Sequence, residues 1–278
     1  MLHLGAYLGL IRPLNLLITA AGVILGGVLA LESVVPGSEP IDRLLGAALA
    51  AMLVAAGGNS INDVFDLRID AINRPDRPLP SGRLSIGAAR GVWAICTLAG
   101  IFTAAMVSPL HLGVAATAAA LLYVYSAHLK PRPYSGNAVI ASLVALAILF
   151  GGWAVGSSVS AYVAAGFAFL TTFARELIKD MDDVEGDREE GARTAPIVFG
   201  VAHTRLVATA VLVLTILLTP IPFLTMDYGP LFLFLVLFVD LILLRVVWLL
   251  PNAPRTGRSA SSWMKTAMVG GILALFVA

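Results

Sequence analysis

The sequence predicts an all-α membrane protein, a bundle of nine transmembrane helices with two acidic motifs on one membrane face. Three observations predict it. Hydrophobic residues make up 59% of the 278 positions and charged residues 13%, with a mean hydropathy of +0.91; a soluble domain carries about 25% charged residues. Apolar runs of about 20 residues, the length that crosses a bilayer, recur along the whole chain. The 18 Lys and Arg residues also fall almost entirely on one side of the topology those runs imply.

The runs lie at 9–31, 44–62, 87–107, 110–127, 137–156, 160–179, 203–224, 229–249 and 261–278. The first is too long for a cleavable signal peptide and opens on an Arg-Pro pair rather than a basic segment. Glu32 to Ile41, rich in Pro, Gly and Ser, joins the first two runs. Only Ser108-Pro109 separates the third from the fourth, and Pro220 and Pro222 predict a kink or early stop in the seventh. With the N-terminus in the cytoplasm, seventeen of the eighteen basic residues face inward and Arg43 alone faces out. The positive-inside rule therefore supports the nine-span topology and puts both acidic motifs on the cytoplasmic side of a cell membrane. The chain reads as one domain, 1–278, with motif and cap segments at about 62–86 and 176–200.

Net charge, +1, decides little. No nucleic-acid partner is expected; the partner is the bilayer. The single Cys96 sits inside a span and reads as a small apolar filler. The four His residues have no spacing that suits zinc, and a Gly-rich phosphate loop is missing from the sequence.

The two acidic stretches carry the chemistry. An Asp at the centre of a membrane helix costs about 2.5–3.5 kcal/mol, so acids kept at the ends of apolar runs call for a function. Asn62, Asp66 and Asp70 recur every fourth residue and share one helix face, with Asn59 and Asp63 on the adjoining stripe. Asp183 and Asp187 repeat the device, with Asp180 and Glu176 at i−3 and i−4 steps before them. Like charges at this spacing repel, so a cation must compensate. Oxygen-only donors suit a hard ion, and Mg²⁺ takes one or two carboxylates together with substrate phosphate oxygens. Two such clusters facing one another could grip a diphosphate between metal ions. Asp182, Glu185, Glu189 and Glu190 read instead as a solvated face.

Basic residues at the same level supply the rest. Arg74 and Arg77 lie in Asn73-Arg-Pro-Asp-Arg-Pro-Leu-Pro-Ser-Gly-Arg83, a segment too Pro-rich for a regular helix and suited to capping the site. Lys130, Arg132, Lys179, Arg12 and Asn15 are further candidates for substrate contact. Arg90, Arg205, Arg255 and Arg258 read as topology signals or lipid-headgroup contacts. Asp240, inside the eighth span, is the one acid that favours a cation-coupled transporter; the clustered acids of both motifs lie at one surface rather than at the midplane where transporter sites lie.

Asn62-Asp-Val-Phe-Asp66-Leu-Arg-Ile-Asp70 resembles the NDxxDxxxD signature of the UbiA-type intramembrane prenyltransferases, and Asp180-Met-Asp-Asp183-Val-Glu-Gly-Asp187 their DxxDxxxD motif. The resemblance implies nine helices around a lipid-open central cavity and Mg²⁺-assisted ionisation of an allylic diphosphate, whose prenyl group then alkylates an acceptor. It implies that Asn62, Asp63, Asp66, Asp70, Asp180, Asp183 and Asp187 bind metal. Asp66, Asp183, Asp187 and Lys130, which follows Tyr125, would carry catalysis. Arg12, Asn15, Asn59, Arg74, Arg77, Tyr125, Lys130, Arg132 and Lys179 would contact substrate. The cap wording, Arg175-Glu-Leu-Ile-Lys-Asp180, and Gly136-Asn137 followed by Gly151-Gly152 are similar to the geranylgeranylglyceryl-phosphate geranylgeranyltransferases, which form the second ether bond of archaeal lipids. Members acting on aromatic quinone, chlorophyll or tocopherol precursors share parts of this wording and define the alternative acceptor class.

Overall fold

The computed structural model describes residues 2–31, 40–156, 158–189, 191–226, 228–252 and 257–277. Every regular element among them is helical. The chain divides into two compact units, Met1–Lys130 with Ala147–Ser158 and Pro131–Leu146 with Val159–Ala278.

The first unit is built from α1 (Leu2–Ile11), α2 (Pro13–Ala30), α3 (Pro40–Phe65), α4 (Leu67–Asn73), α5 (Ile86–Val107) and α6 (Pro109–Val124). The expected first span, 9–31, is α2, long and apolar enough to cross a membrane, and a further helix, α1, precedes it. Arg12 separates the two helices, adopting a left-handed backbone (φ 57°) immediately before Pro13. A proline disfavours the helical conformation in the residue before it, and the positive φ is costly for a side chain as large as Arg. Ser108 is extended and accepts a hydrogen bond from the His111 amide, so α5 and α6 are separate helices despite their two-residue link. The ring of His111 is buried, with Nδ1 2.7 Å from Ser108 Oγ and Nε2 3.0 Å from the Phe150 carbonyl.

Helix α3 is the hub. It packs on α1, α2, α5 and α6 through small residues, Ala47, Ala50 and Val54 against Ala104 and Ala115. Such residues let membrane helices approach closely where lipid offers no hydrophobic drive. Helix α7 (Ser135–Val155) begins in the second unit and ends in the first. Its last turns meet α2 at glycines: a Cβ on Gly151 would overlap the Val23 carbonyl, and one on Gly26 the Ile148 carbonyl.

The second unit continues with α8 (Val159–Asp182), α9 (Val184–Glu189), α10 (Ala195–Val198), α11 (Val201–Leu218), α12 (Ile221–Thr225), α13 (Pro230–Leu249) and α14 (Gly257–Phe276). The expected kink at Pro220 and Pro222 is the α11–α12 break. Helix α8 packs on α11 and α14, and α13 on α14, around Leu177, Ile178, Met181, Leu212, Leu243 and Met264. Asp240 is buried here, accepting a 2.8 Å hydrogen bond from the Thr219 hydroxyl. That bond offsets part of the cost of a buried carboxyl.

Among the described residues, eight helices are long and apolar enough to cross a membrane. Helix α14 occupies the ninth expected position and has the length, but its first turns carry Arg258, Ser259, Ser261, Ser262 and Lys265. The protein is a polytopic helical bundle, and nine is an approximate span count.

Candidate active site

In the first unit the acidic motif sits where α3 passes into α4. Amide-to-carbonyl bonds from Asp66 to Asn62 and from Asp70 to Asp66 carry the helical spacing across the junction, so the sequence periodicity survives a change of helix. Asp63, Asp66 and Asp70 are all buried, and each is met by a cation from elsewhere in the chain. Arg12 donates to Asp63 Oδ1. The Lys130 amine lies 2.6 Å from both carboxylate oxygens of Asp66, and Asn62 donates to Asp66 Oδ2 at 2.7 Å. Arg77 donates to Asp70 Oδ2 at 2.5 Å and stands 3.5 Å from Asp63 Oδ1.

Local backbone features deliver these cations. The left-handed Arg12 turns its side chain out of the α1–α2 line, and Asn59 Nδ2 holds the break by donating to the Ile11 carbonyl at 2.8 Å. Asn59, one of the expected substrate contacts, makes this bond to backbone. Lys130 follows one turn of π-helix, Tyr125–Leu129, closed by its own amide on the Tyr125 carbonyl at 2.9 Å. A π-turn shifts the following residue around the helix axis and is frequent at functional sites. Arg77 is placed by the Pro-rich segment, which is irregular as expected. Leu79 and Leu84 anchor that segment among Ala6, Leu10 and Ala89, burial worth about 1.5–3 kcal/mol per leucine.

The second motif lies in the second unit, across the end of α8 into α9. Asp180 Oδ2 accepts from Asn137 Nδ2 at 2.8 Å, and Asp187 Oδ2 from the Thr194 hydroxyl at 3.1 Å. Asp183 is exposed and has no side-chain partner among the described residues. Glu176 is buried, 2.7 Å from Arg175 and 3.6 Å from Lys179. The two motifs thus differ electrostatically. The first holds three carboxylates matched by three cations; the second offers an exposed acid, Asp183, and an amide-bonded one, Asp180.

Among the other expected contacts, Arg74 and Arg132 are exposed with no side-chain partner among the described residues, and Asn15 is exposed on α2. The structure does not bring these three to an acid. Glu185 and Glu189 are exposed, as a solvated face should be, but Asp182 is half-buried; Glu190 and Arg255 lie outside the described residues. Two supporting residues escaped the sequence reasoning, Asn137 and Thr194. Asn137 had a visible signal, an amide at the first turn of an apolar run. Thr194 had none, because its pairing with Asp187 depends on the turn between α9 and α10.

No three His, Cys, Asp or Glu residues converge on one point among the described residues. An ion here would be held by one or two carboxylates with its remaining positions filled by phosphate oxygens or water, the habit of Mg²⁺. The donors available, carboxylates with the Asn62 amide, are hard oxygen ligands and fit that ion.

Residues 16–269 match the UbiA prenyltransferase family. The chain is 38% identical over 270 residues to digeranylgeranylglyceryl phosphate synthase of Methanopyrus kandleri, covering 97% of each chain. It is 35% identical to the enzyme of that name from Natronomonas pharaonis, covering 96% and 94%. A solved structure described for digeranylgeranylglyceryl phosphate synthase in membranes superposes with a TM-score of 0.84 at 32% identity, over 100% of this chain and 98% of that one. A UbiA homologue from Archaeoglobus fulgidus bound to DMAPP and Mg²⁺ shares the fold, with a TM-score of 0.74 at 18% identity over 98% and 100% of the two chains.

Proposed function

Because the chain belongs to the UbiA prenyltransferase family, we propose that it transfers a geranylgeranyl group from its diphosphate to the free hydroxyl of geranylgeranylglyceryl phosphate. The product carries the second ether bond of an archaeal-type membrane lipid. The acceptor assignment rests on near-full-length similarity to relatives named for that synthesis. The chemistry rests on one observation above the others: buried Asp66 is held at 2.6 Å by a half-exposed lysine.

That pair suggests how the site is charged. With no substrate bound, Lys130 and Arg77 neutralise Asp66 and Asp70. An arriving diphosphate is the better partner for both cations, since it carries more charge and accepts bidentate hydrogen bonds. Their transfer to phosphate oxygens frees carboxylate oxygens on Asp66 and Asp70, with the Asn62 amide beside them. Asp180, Asp183 and Asp187 are the corresponding donors of the second motif. Mg²⁺, when bound, supplies Lewis-acid stabilisation of the departing diphosphate. The prenyl C1–O bond breaks with its electron pair leaving on the diphosphate, and Lys130 and Arg77 stabilise that charge. The acceptor oxygen then bonds to C1 and gives up its proton to a motif carboxylate or to the released diphosphate. Apolar helix walls keep water from the cation.

We place the N-terminus and both motifs on the cytoplasmic side, supported by the distribution of basic residues. Purified protein given Mg²⁺, labelled geranylgeranyl diphosphate and a panel of acceptors tests the reading. Transfer to geranylgeranylglyceryl phosphate is the expected result. Transfer to an aromatic acid alone would move the protein to the quinone-type branch of the family.

A further inference from the structure

A second concave site lies on the other side of the motif helix. Ile61, Phe65 and Arg68 follow one another at i, i+4 and i+7, which puts them on a stripe roughly opposite the acidic one at 100° per residue. With Arg90 and Trp93 of α5 and Tyr123 of α6 they line a half-open pocket of about 400 Å³. That volume falls in the range of small-ligand sites.

The pocket's chemistry is one-sided. Arg68 and Arg90 are exposed and make no ion pair or side-chain hydrogen bond among the described residues, and no carboxylate lines the pocket. An arginine at the site described above answers an acid; these two answer nothing in the first unit. The same lining includes an aromatic wall. Phe65 meets Tyr123 edge-on at 5.6 Å, and Trp93 lies 5.7 Å from the same ring. The level is the membrane edge, at the last turn of α3 and the first turns of α5. Tryptophan and tyrosine favour the headgroup layer, and an arginine pair suits phosphate oxygens. Without a carboxylate the pocket has no means of holding a metal-bound diphosphate, which separates it from the catalytic motif.

We propose that this pocket binds the phosphate headgroup of an anionic membrane phospholipid. Arg68 and Arg90 take the phosphate oxygens, and Phe65, Trp93 and Tyr123 receive the glycerol and the first methylenes. A zwitterionic lipid is a poorer occupant, because its ammonium group would find two cations and no acid. Arg68 and Arg90 flank in sequence the Pro-rich segment that carries Arg77. A lipid held by both would brace the two ends of that segment.

Trp93 is a built-in reporter. In nanodiscs, a variant keeping Trp93 as its sole tryptophan, with Trp153, Trp248 and Trp263 replaced by Phe, is exposed to brominated phosphatidylglycerol or brominated phosphatidylcholine at equal mole fraction. Brominated phosphatidylglycerol should quench Trp93 more strongly, with a preference of about fivefold per arginine, the worth of one basic side chain at an anionic surface. Arg68→Gln/Arg90→Gln should abolish the preference, and Arg68→Lys/Arg90→Lys should retain most of it. Equal quenching of Trp93 by the two lipids would overturn the proposal. So would relief of the quenching by soluble glycerol phosphate, which would make the ligand a free phosphate rather than a lipid.

Discussion

Lys130→Ala separates the resting role of the Lys130–Asp66 pair from its role in the reaction. The amine lies 2.6 Å from both oxygens of Asp66, whose side chain is 8% exposed while that of Lys130 is 38% exposed. The gross attraction of two charges at such a distance is about 4 kcal/mol or more at an effective dielectric of 20. Desolvation of Asp66 and solvent screening of the lysine offset most of it, leaving roughly 1 kcal/mol net in the resting protein. Against the departing diphosphate the same amine counts for more, because charge develops there in the transition state. Loss of one such donor costs about 3–4 kcal/mol, or 10²–10³ in kcat. Two opposite effects should follow. Turnover of labelled geranylgeranyl diphosphate should fall about 10²–10³-fold. Binding of Mn²⁺ as a spectroscopic stand-in for Mg²⁺, without diphosphate, should tighten about fivefold because its competitor at Asp66 is gone. A kcat within about threefold of the parent, or weaker Mn²⁺ binding by the substrate-free variant, would refute the reasoning.

Asp66→Ala and Asp183→Ala should each abolish turnover while the protein still inserts and elutes as the parent does; near-normal rates in either would remove that residue from the mechanism. Asn137→Leu deprives Asp180 of its 2.8 Å amide partner. Supports of this kind are worth about 10–100-fold in metal affinity, so the Mg²⁺ concentration for half-maximal rate should rise by that order with kcat at saturation largely kept. A fall in kcat alone would argue against positioning. Gly151→Val drives a side chain into the Val23 backbone; thermal unfolding in detergent should show a loss of at least about 3 kcal/mol or no folded protein, and parental stability would contradict the α2–α7 packing.

The sequence by itself determined the solvent, the element type and the chemical class of the site. Apolar runs of bilayer length can satisfy their backbone polar groups only as helices. The i, i+4 spacing of Asn62, Asp66 and Asp70 fixed a shared face whatever the neighbours. Cations paired with Asp63, Asp66 and Asp70 were foreseeable as a need, since stacked carboxylates repel. Tertiary structure alone decided which cations answered. Arg12 is 51 residues from Asp63 and Lys130 is 64 from Asp66, and no local periodicity reports such pairings. It also decided that Arg12 separates α1 from α2, that a π-turn precedes Lys130, and that Asn59 bonds to the backbone of Ile11. Asn137, quoted from the sequence only for its wording, and Thr194 gained roles because folding brought them to Asp180 and Asp187. Local spacing specifies which faces exist; only the packing of distant segments specifies what each face meets.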